Sequence, residues 1–291
     1  MLLKDARDYQ ILFLSLFLIL GIGTRDWTLR TDLMLVTIGS CLATQWILVS
    51  LVPYIQGKMQ LQWSSSPKSI LTLLPTLSTF RSAAITSLGL CLLLRGNSYH
   101  TMALAGCLAI ASKFLCQYKN KHFFNPANFG IIAALLLTND AWISPGQWGT
   151  DWWYLLLFAG TGGMLLKRVG RWDTSAAFFL SYAGLEAMRN FWLGFGWDVL
   201  IHQLMSGSLL LFALFMLTDP RSIPNATTSR LIWAIAIALL TFVLQHQFFV
   251  ESAIFWALFA LSPVTIFLDE FWLAPRFTWQ QAGLSQVISN K

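Results

Sequence analysis

Charge is scarce in this chain: Asp, Glu, Lys and Arg together make up 11% of the residues, while 56% are hydrophobic. A soluble domain carries roughly 25% charged and about 45–50% apolar residues, so lipid is the solvent for most of this chain. Several signatures are missing as well. There is no Gly-x-Gly-x-x-Gly and no phosphate-binding P-loop, which excludes a Rossmann nucleotide domain and intrinsic ATP hydrolysis. No Gly-x-Ser-x-Gly element occurs, and no spacing gathers a Ser, a His and an acid, so nothing in the sequence points to nucleophilic hydrolysis. The cysteines Cys41, Cys91, Cys107 and Cys116 lie in apolar stretches without Cys-x-x-Cys spacing; they read as small buried hydrophobes rather than a zinc site or a disulfide framework. His100, His122, His202 and His246 are scattered, and nothing in their spacing requires a haem-ligating pair. With no linker, low-complexity tract or extramembrane domain, residues 1–291 read as one integral membrane domain.

What is present is a series of apolar stretches, near 9–23, 33–54, 70–94, 100–117, 123–138, 152–166, 173–193, 198–218, 231–248 and 252–271. Most approach the ~20 residues that cross a bilayer as a helix, which predicts an all-α polytopic membrane protein of about ten transmembrane helices. Gly23-Thr-Arg-Asp-Trp27 is a poor signal-peptidase site, so the first stretch reads as a retained helix. Lys4, Arg7, Lys58, Lys68, Lys119, Lys121, Lys167, Arg168, Arg171, Arg221, Arg230, Arg276 and Lys291 fall on one side of this topology, and only Arg25, Arg30, Arg95 and Arg189 on the other. The positive-inside rule then puts both termini in the cytoplasm of a plasma (inner) membrane and the loop 139–151 outside. The net charge of +6 reads as this same bias and as attraction to anionic lipid, with no nucleic-acid role. Trp142, Trp148, Trp152 and Trp153 cluster at the outer loop, where interfacial tryptophans collect.

Five stretches precede that loop and five follow it, which suggests repeats at about 1–138 and 152–272 and a short cytoplasmic tail at 273–291. An odd number of spans per half makes the repeats inverted, and such folds place substrate or ion sites between discontinuous helices near the midplane. Residues 71–79 read as a re-entrant segment leading into Arg81. Two clusters stand where apolar stretches begin or end: Asn125, Pro126 and Asn128 in one, Thr218, Asp219 and Pro220 in the other. Proline frees backbone groups that hydrocarbon cannot satisfy, so amides and hydroxyls beside it mark buried or cavity-lining breaks. These residues, with Asp269, form the expected substrate or ion pathway, and the two clusters are expected to approach each other. Arg81, at membrane depth, is read as either an anchor for an anionic ligand group or half of an intramolecular ion pair. Asp219, Asp269, Glu270 and Lys113 share that ambiguity, and Glu186 and Arg189, three residues apart on a helix, are expected to pair.

Four stretches resemble the motifs of a known family, the NqrB/RnfD membrane subunits of ion-pumping electron-transport complexes. RnfD belongs to the Rnf complex and NqrB to the sodium-translocating NADH:quinone oxidoreductase. The stretches are Ser82-Ala-Ala-Ile-Thr-Ser-Leu88, Phe124-Asn-Pro-Ala-Asn-Phe-Gly130, Met216-Leu-Thr-Asp-Pro-Arg-Ser-Ile-Pro224, and Glu251-Ser-Ala-Ile-Phe-Trp-Ala257 with Pro263 and Asp269. The resemblance implies a ten-helix fold of two inverted five-helix repeats, akin to urea transporters. It also implies flavin-mediated electron transfer coupled to Na+ or H+ movement beside other membrane redox subunits, with Arg81, Ser82 and Thr86 as cofactor-binding candidates. The family attaches FMN to a threonine in a Ser/Thr-Gly-x-Thr motif, which this chain lacks; Thr150, in Ile143-Ser-Pro-Gly-Gln-Trp-Gly-Thr-Asp-Trp152, has different flanks. The expectation is therefore no covalent FMN, with noncovalent flavin left open and no catalytic residue or metal ligand assigned. A flavin-free transporter or channel for a small solute or ion, and a noncatalytic scaffold within a membrane assembly, are the competing readings.

Overall fold

The computed structural model describes residues 5–24, 30–55, 77–144, 152–277 and 279. The apolar stretches of the first half fold into α1 (Ala6–Thr24), α2 (Thr31–Ile55), α3 (Leu77–Leu93), α4 (Tyr99–Leu115) and α5 (Pro126–Leu137). Those of the second half give α6 (Trp152–Val169), α7 (Trp172–Leu193), α8 (Trp197–Leu204), α9 (Gly207–Leu211), a π-helix continuing α9 (Phe212–Met216), α10 (Thr227–His246), α11 (Ala253–Leu261) and α12 (Val264–Phe271). Helix starts follow local chemistry. Ser98 caps α4 by accepting from the Thr101 N–H, and Asn125 caps α5 with Pro126 in the first turn, where a missing N–H costs nothing. Gly194 ends α7 in the left-handed conformation, φ 71°.

Two short antiparallel pairs, absent from the sequence reading, tie helix ends together. β1 (Leu94–Arg95) pairs with β4 (Trp142–Ile143), placing Leu94 opposite Ile143, and β2 (Gln117–Tyr118) pairs with β3 (Lys121–His122). The second is a tight hairpin whose central residues, Lys119 and Asn120, both have positive φ, as a type I′ turn demands.

Helix α2 packs on α3 and α4, α4 on α5, and α1 on α3; α7, α10 and α11 form a second group. The groups join where α11 meets α5 and where α6 meets α1 and the π-helix. Small residues set the closest approaches, as is usual where lipid removes the hydrophobic drive between helices. A Cβ on Gly130 would lie 2.6 Å from the Ala105 carbonyl oxygen, so α4 and α5 touch nearly backbone to backbone. Trp233, Phe178, Phe212, Phe255, Ile110 and Ile131 are among the largest fully buried side chains.

The chain is an all-helical membrane protein. Among the described residues, three helical segments are long and apolar enough to cross a bilayer: Ala6–Gly23, Thr31–Leu51 and Thr227–His246. The eighth and tenth stretches, read from sequence as continuous, are broken. Trp197–Leu204 meets Gly207–Met216 at 49°, and Ala253–Leu261 meets Val264–Phe271 at 48°; each pair has the length and apolarity of one crossing. The breaks fall at Met205-Ser206 and Ser262-Pro263, where proline and small polar residues interrupt the ladder. Helix α5, at 12 residues, is shorter than the ~20 that span alone, and 17 residues of α3 are described. The expected re-entrant segment lies mostly outside the described residues, as do Thr150, Trp148 and most of the tail.

Candidate functional site

The two Pro-containing clusters meet. Asn125 uses both ends of its amide: Oδ1 accepts from the Asn128 N–H at 3.1 Å, and Nδ2 donates to the Met216 carbonyl at 3.0 Å, across to the end of the π-helix. A π-turn shifts carbonyls away from their ordinary donors, and side chains supply replacements. Ser175 Oγ donates to the Ala213 carbonyl, and Gln10 Nε2 reaches Phe215 O at 3.5 Å. Asn128, 1% exposed, does the same for the other broken helix, donating from Nδ2 to Phe255 O at 3.1 Å, while its Oδ1 is buried without a partner. Trp233 Nε1 satisfies Leu261 O beside the break between α11 and α12, at 2.8 Å.

Beside this junction lies a cavity of about 390 Å³, within the ~300–1,000 Å³ range of small-molecule sites. Seven of the site residues expected from sequence line it: Ser82, Thr86, Asn125, Pro126, Thr218, Asp219 and Pro220. Its apolar wall includes Leu14, Ile85, Leu92, Phe114 and Phe215. Thr86 Oγ1 donates to Ser82 O and Thr218 Oγ1 to Leu214 O, both at 2.9 Å, so these hydroxyls are anchored to their own helices. Burial works against ionisation of Asp219. His122 Nε2, 3.6 Å from its Oδ2, and the N–H and charge of Arg221 outweigh that and hold the carboxyl below the usual carboxylate range.

Other expected site residues lie elsewhere. Arg81 pairs with Asp8 at 2.7 Å and Asp5 at 3.4 Å and does not line the cavity; of its two sequence readings, the structure shows the ion pair. Asp269 accepts from Lys121 Nζ at 2.6 Å and from the Asn225 N–H at 2.7 Å, clamping the β2–β3 hairpin to α12. Glu270 pairs with Lys119 at 2.8 Å. Glu186 and Arg189 do not pair: Glu186, 2% exposed, meets His246 on α10 at 2.7 Å, and Arg189 stands over the Phe195 ring. A cross-helix partner replaces the expected neighbour because Glu186 faces α10 in the interior.

Sequence reasoning missed His122 and Gln45 as cavity-lining groups and left Lys113 undecided. Gln45 is 4% exposed with its Oε1 unpartnered, and Lys113 Nζ donates to Ser82 O and Ser82 Oγ, both at 3.1 Å. The available signal was a lone cation inside the apolar stretch 100–117 and a histidine three residues before Asn125.

The model of the NQR2, RnfD, RnfE family matches residues 115–277, more than half of the chain and the part holding both clusters and both broken helices. The chain belongs to that family. The Ser82–Leu88 stretch lies ahead of the matched region. Similar proteins include the D-type subunit of the ion-translocating oxidoreductase complex of Stutzerimonas stutzeri, 30% identical over 120 residues, covering 40% of this chain and 32% of that protein. The D-type subunit of Pseudomonas aeruginosa strain LESB58 is 33% identical over 116 residues, covering 38% and 33%. That of Actinobacillus pleuropneumoniae serotype 5b is 28% identical over 106 residues, covering 36% and 30%. The match therefore spans about a third of the length of these relatives.

Proposed function

We propose that this family member is a membrane subunit of an ion-translocating electron-transport complex, acting beside other redox subunits rather than as a stand-alone enzyme. The cavity beside the Asn125–Met216 bridge is its ligand site. The observation that carries the reading is the Asn125–Met216 bridge, which joins two family-matched clusters at the edge of a cavity of small-molecule size. Relatives named as ion-translocating oxidoreductase complex subunits support the complex and its coupling to ion movement.

A noncovalently held flavin fits the residues present. Apolar walls at Ile85, Leu92, Phe114 and Phe215 suit the faces of a planar ring, the unpartnered Gln45 Oε1 suits an imide N–H, and Lys113 suits a ring carbonyl or an anionic substituent. Such a group takes up an electron pair and passes electrons on singly, which no side chain here does. Within this reading the fold completes two inverted five-helix repeats of about ten crossings, with both termini cytoplasmic in the inner membrane and the loop 139–151 outside. Asn125, Asn128, Thr218 and Asp219 line the substrate or ion pathway beside the cavity.

Purification from native membranes in mild detergent tests the reading. The expected result is co-purification with other redox subunits and a bound flavin released on denaturation. A chain that purifies alone and without flavin, yet moves a neutral solute or ion in vesicles, would establish the transporter alternative instead. A colourless chain inside a complex, with activity unaffected by Thr86→Val or Gln45→Leu, would make it a scaffold.

A further inference from the structure

Lys113 is a buried cation of the cavity wall with no carboxylate in contact with it. It sits on α4, 8% exposed, lines the cavity, and donates to the neutral carbonyl and hydroxyl oxygens of Ser82. Those bonds use two of the three donors an ammonium has. Among the described residues no carboxylate lies within 4.0 Å of Nζ. Of the other charged groups in the wall, Arg7 is paired with Asp5 at 2.6 Å, Asp219 faces His122 and the Arg221 N–H, and the Arg221 side chain is exposed rather than buried. A second buried group in the same wall also lacks a partner, the Gln45 Oε1, which needs a donor rather than an acceptor. A buried ammonium bonded only to neutral oxygens normally marks a substrate or ligand path in a membrane protein.

The geometry points to a terminal-anion subsite in this cavity, with Lys113 anchoring the phosphate-monoester or carboxylate end of a small molecule. The body of that molecule is apolar and offers one hydrogen-bond donor to Gln45. Arg81, whose guanidinium is taken by Asp8 and Asp5, does not have this role. Lysine suits it, because it binds phosphate as a point charge, needs no bidentate geometry, and has a stem that packs on apolar wall. This deepens the flavin reading and rests on it for the identity of the ligand body, but not for the anion.

The test compares riboflavin 5′-phosphate with riboflavin, two ligands that differ only by the phosphate, titrated onto the full chain in phosphatidylcholine nanodiscs by tryptophan quenching and thermal shift. The expected result is at least tenfold tighter binding of the phosphate ester by the wild-type chain. Lys113→Gln removes that preference and Lys113→Arg retains most of it. Because Lys113→Gln risks misfolding, the wild-type chain supplies a second measurement: its preference must shrink as salt is raised, and a preference indifferent to salt overturns the subsite. Inorganic phosphate and nanodiscs containing phosphatidic acid separate a soluble anion from a lipid headgroup. Lys113-dependent stabilisation by either, with neither flavin bound, keeps the subsite and removes the flavin reading. Equal binding of both flavins, with no Lys113-dependent response to phosphate or phosphatidic acid, removes the subsite and keeps the flavin reading. No response to any probe overturns both.

Discussion

Asn125 Nδ2 lies 3.0 Å from the Met216 carbonyl oxygen, 91 residues away in sequence, and this one bond joins the start of α5 to the end of the π-helix. Both groups are buried, so the amide answers a backbone carbonyl that neither water nor lipid reaches. Its other end caps α5, which makes Asn125 the hinge pin of the candidate site.

Replacing Asn125 separates these two tasks. Asn125→Leu loses the cap, worth ~1 kcal/mol, and strands a buried carbonyl, about 1–3 kcal/mol more. A total loss of roughly 2–4 kcal/mol is expected in equilibrium unfolding. Asn125→Ser keeps a cap acceptor but is too short to reach Met216, so it falls between wild type and Asn125→Leu; equal stability of all three would show that the bridge carries nothing.

Gly130→Val tests the contact between α4 and α5. Its Cβ would sit 2.6 Å from Ala105 O and 2.7 Å from Ala109 Cβ, and a backbone oxygen within a packed helix has nowhere to go. Overpacking of this kind costs about 1–3 kcal/mol or more. Gly184→Ala, in α7 with nothing within 4 Å of the added Cβ, is the control and is expected to raise stability by roughly 0.5–1 kcal/mol through helix propensity.

Glu186→Leu leaves His246 without its buried acceptor, and hydrogen bonds to charged groups are worth roughly 1.5–3 kcal/mol. Arg189→Leu, whose guanidinium stands 6.0 Å from the Phe195 centroid, is expected to change stability by no more than about 0.5 kcal/mol. Thermal unfolding of the two variants ranks them; the reverse order would restore the Glu186–Arg189 pair expected from helical spacing.

Asp140 gives a pH signature outside the helices. The Thr101 hydroxyl, followed by Ser98 and the backbone N–H groups of Asn97 and Ser98, holds its carboxyl down to about 2. An acid whose folded value is depressed stabilises the fold above its ordinary value, ~4, and that contribution disappears as pH falls through the folded value. Amide exchange at Asn97 and Ser98 is therefore expected to speed up between about pH 4 and pH 2. In Asp140→Asn the step should vanish; a step that persists there would assign it to another carboxylate.

The legible part of this protein was its local chemistry. Asn-Pro-x-Asn spells a capped helix start, and Thr-Asp-Pro a helix end, because cap and proline rules act within four residues. That the two should approach followed from the broken-helix argument, and the Asn125–Met216 bond shows them doing so. Partners across helices were not legible. The Glu186–His246 and Arg81–Asp8 pairs depend on which helix faces which, and an apolar stretch hydrophobic all round leaves its orientation unmarked. The π-helix was invisible for a similar reason: Phe212-Ala-Leu-Phe-Met216 has no residue that forbids an ordinary helix, and its carbonyls are shifted toward donors on α1, α5 and α7. The β2–β3 hairpin was missed because Lys119 is an unusual choice at positive φ.

The optical spectrum of the protein purified from native membranes in mild detergent tests the central claim most directly. A flavin absorbance band that passes wholly into the soluble fraction on denaturation, and is lost in a cavity-filling Thr86→Phe variant that still folds, is the result expected for a noncovalent redox site beside the Asn125–Met216 bridge. A protein with no flavin absorbance, or one whose flavin stays on the denatured chain, would contradict it.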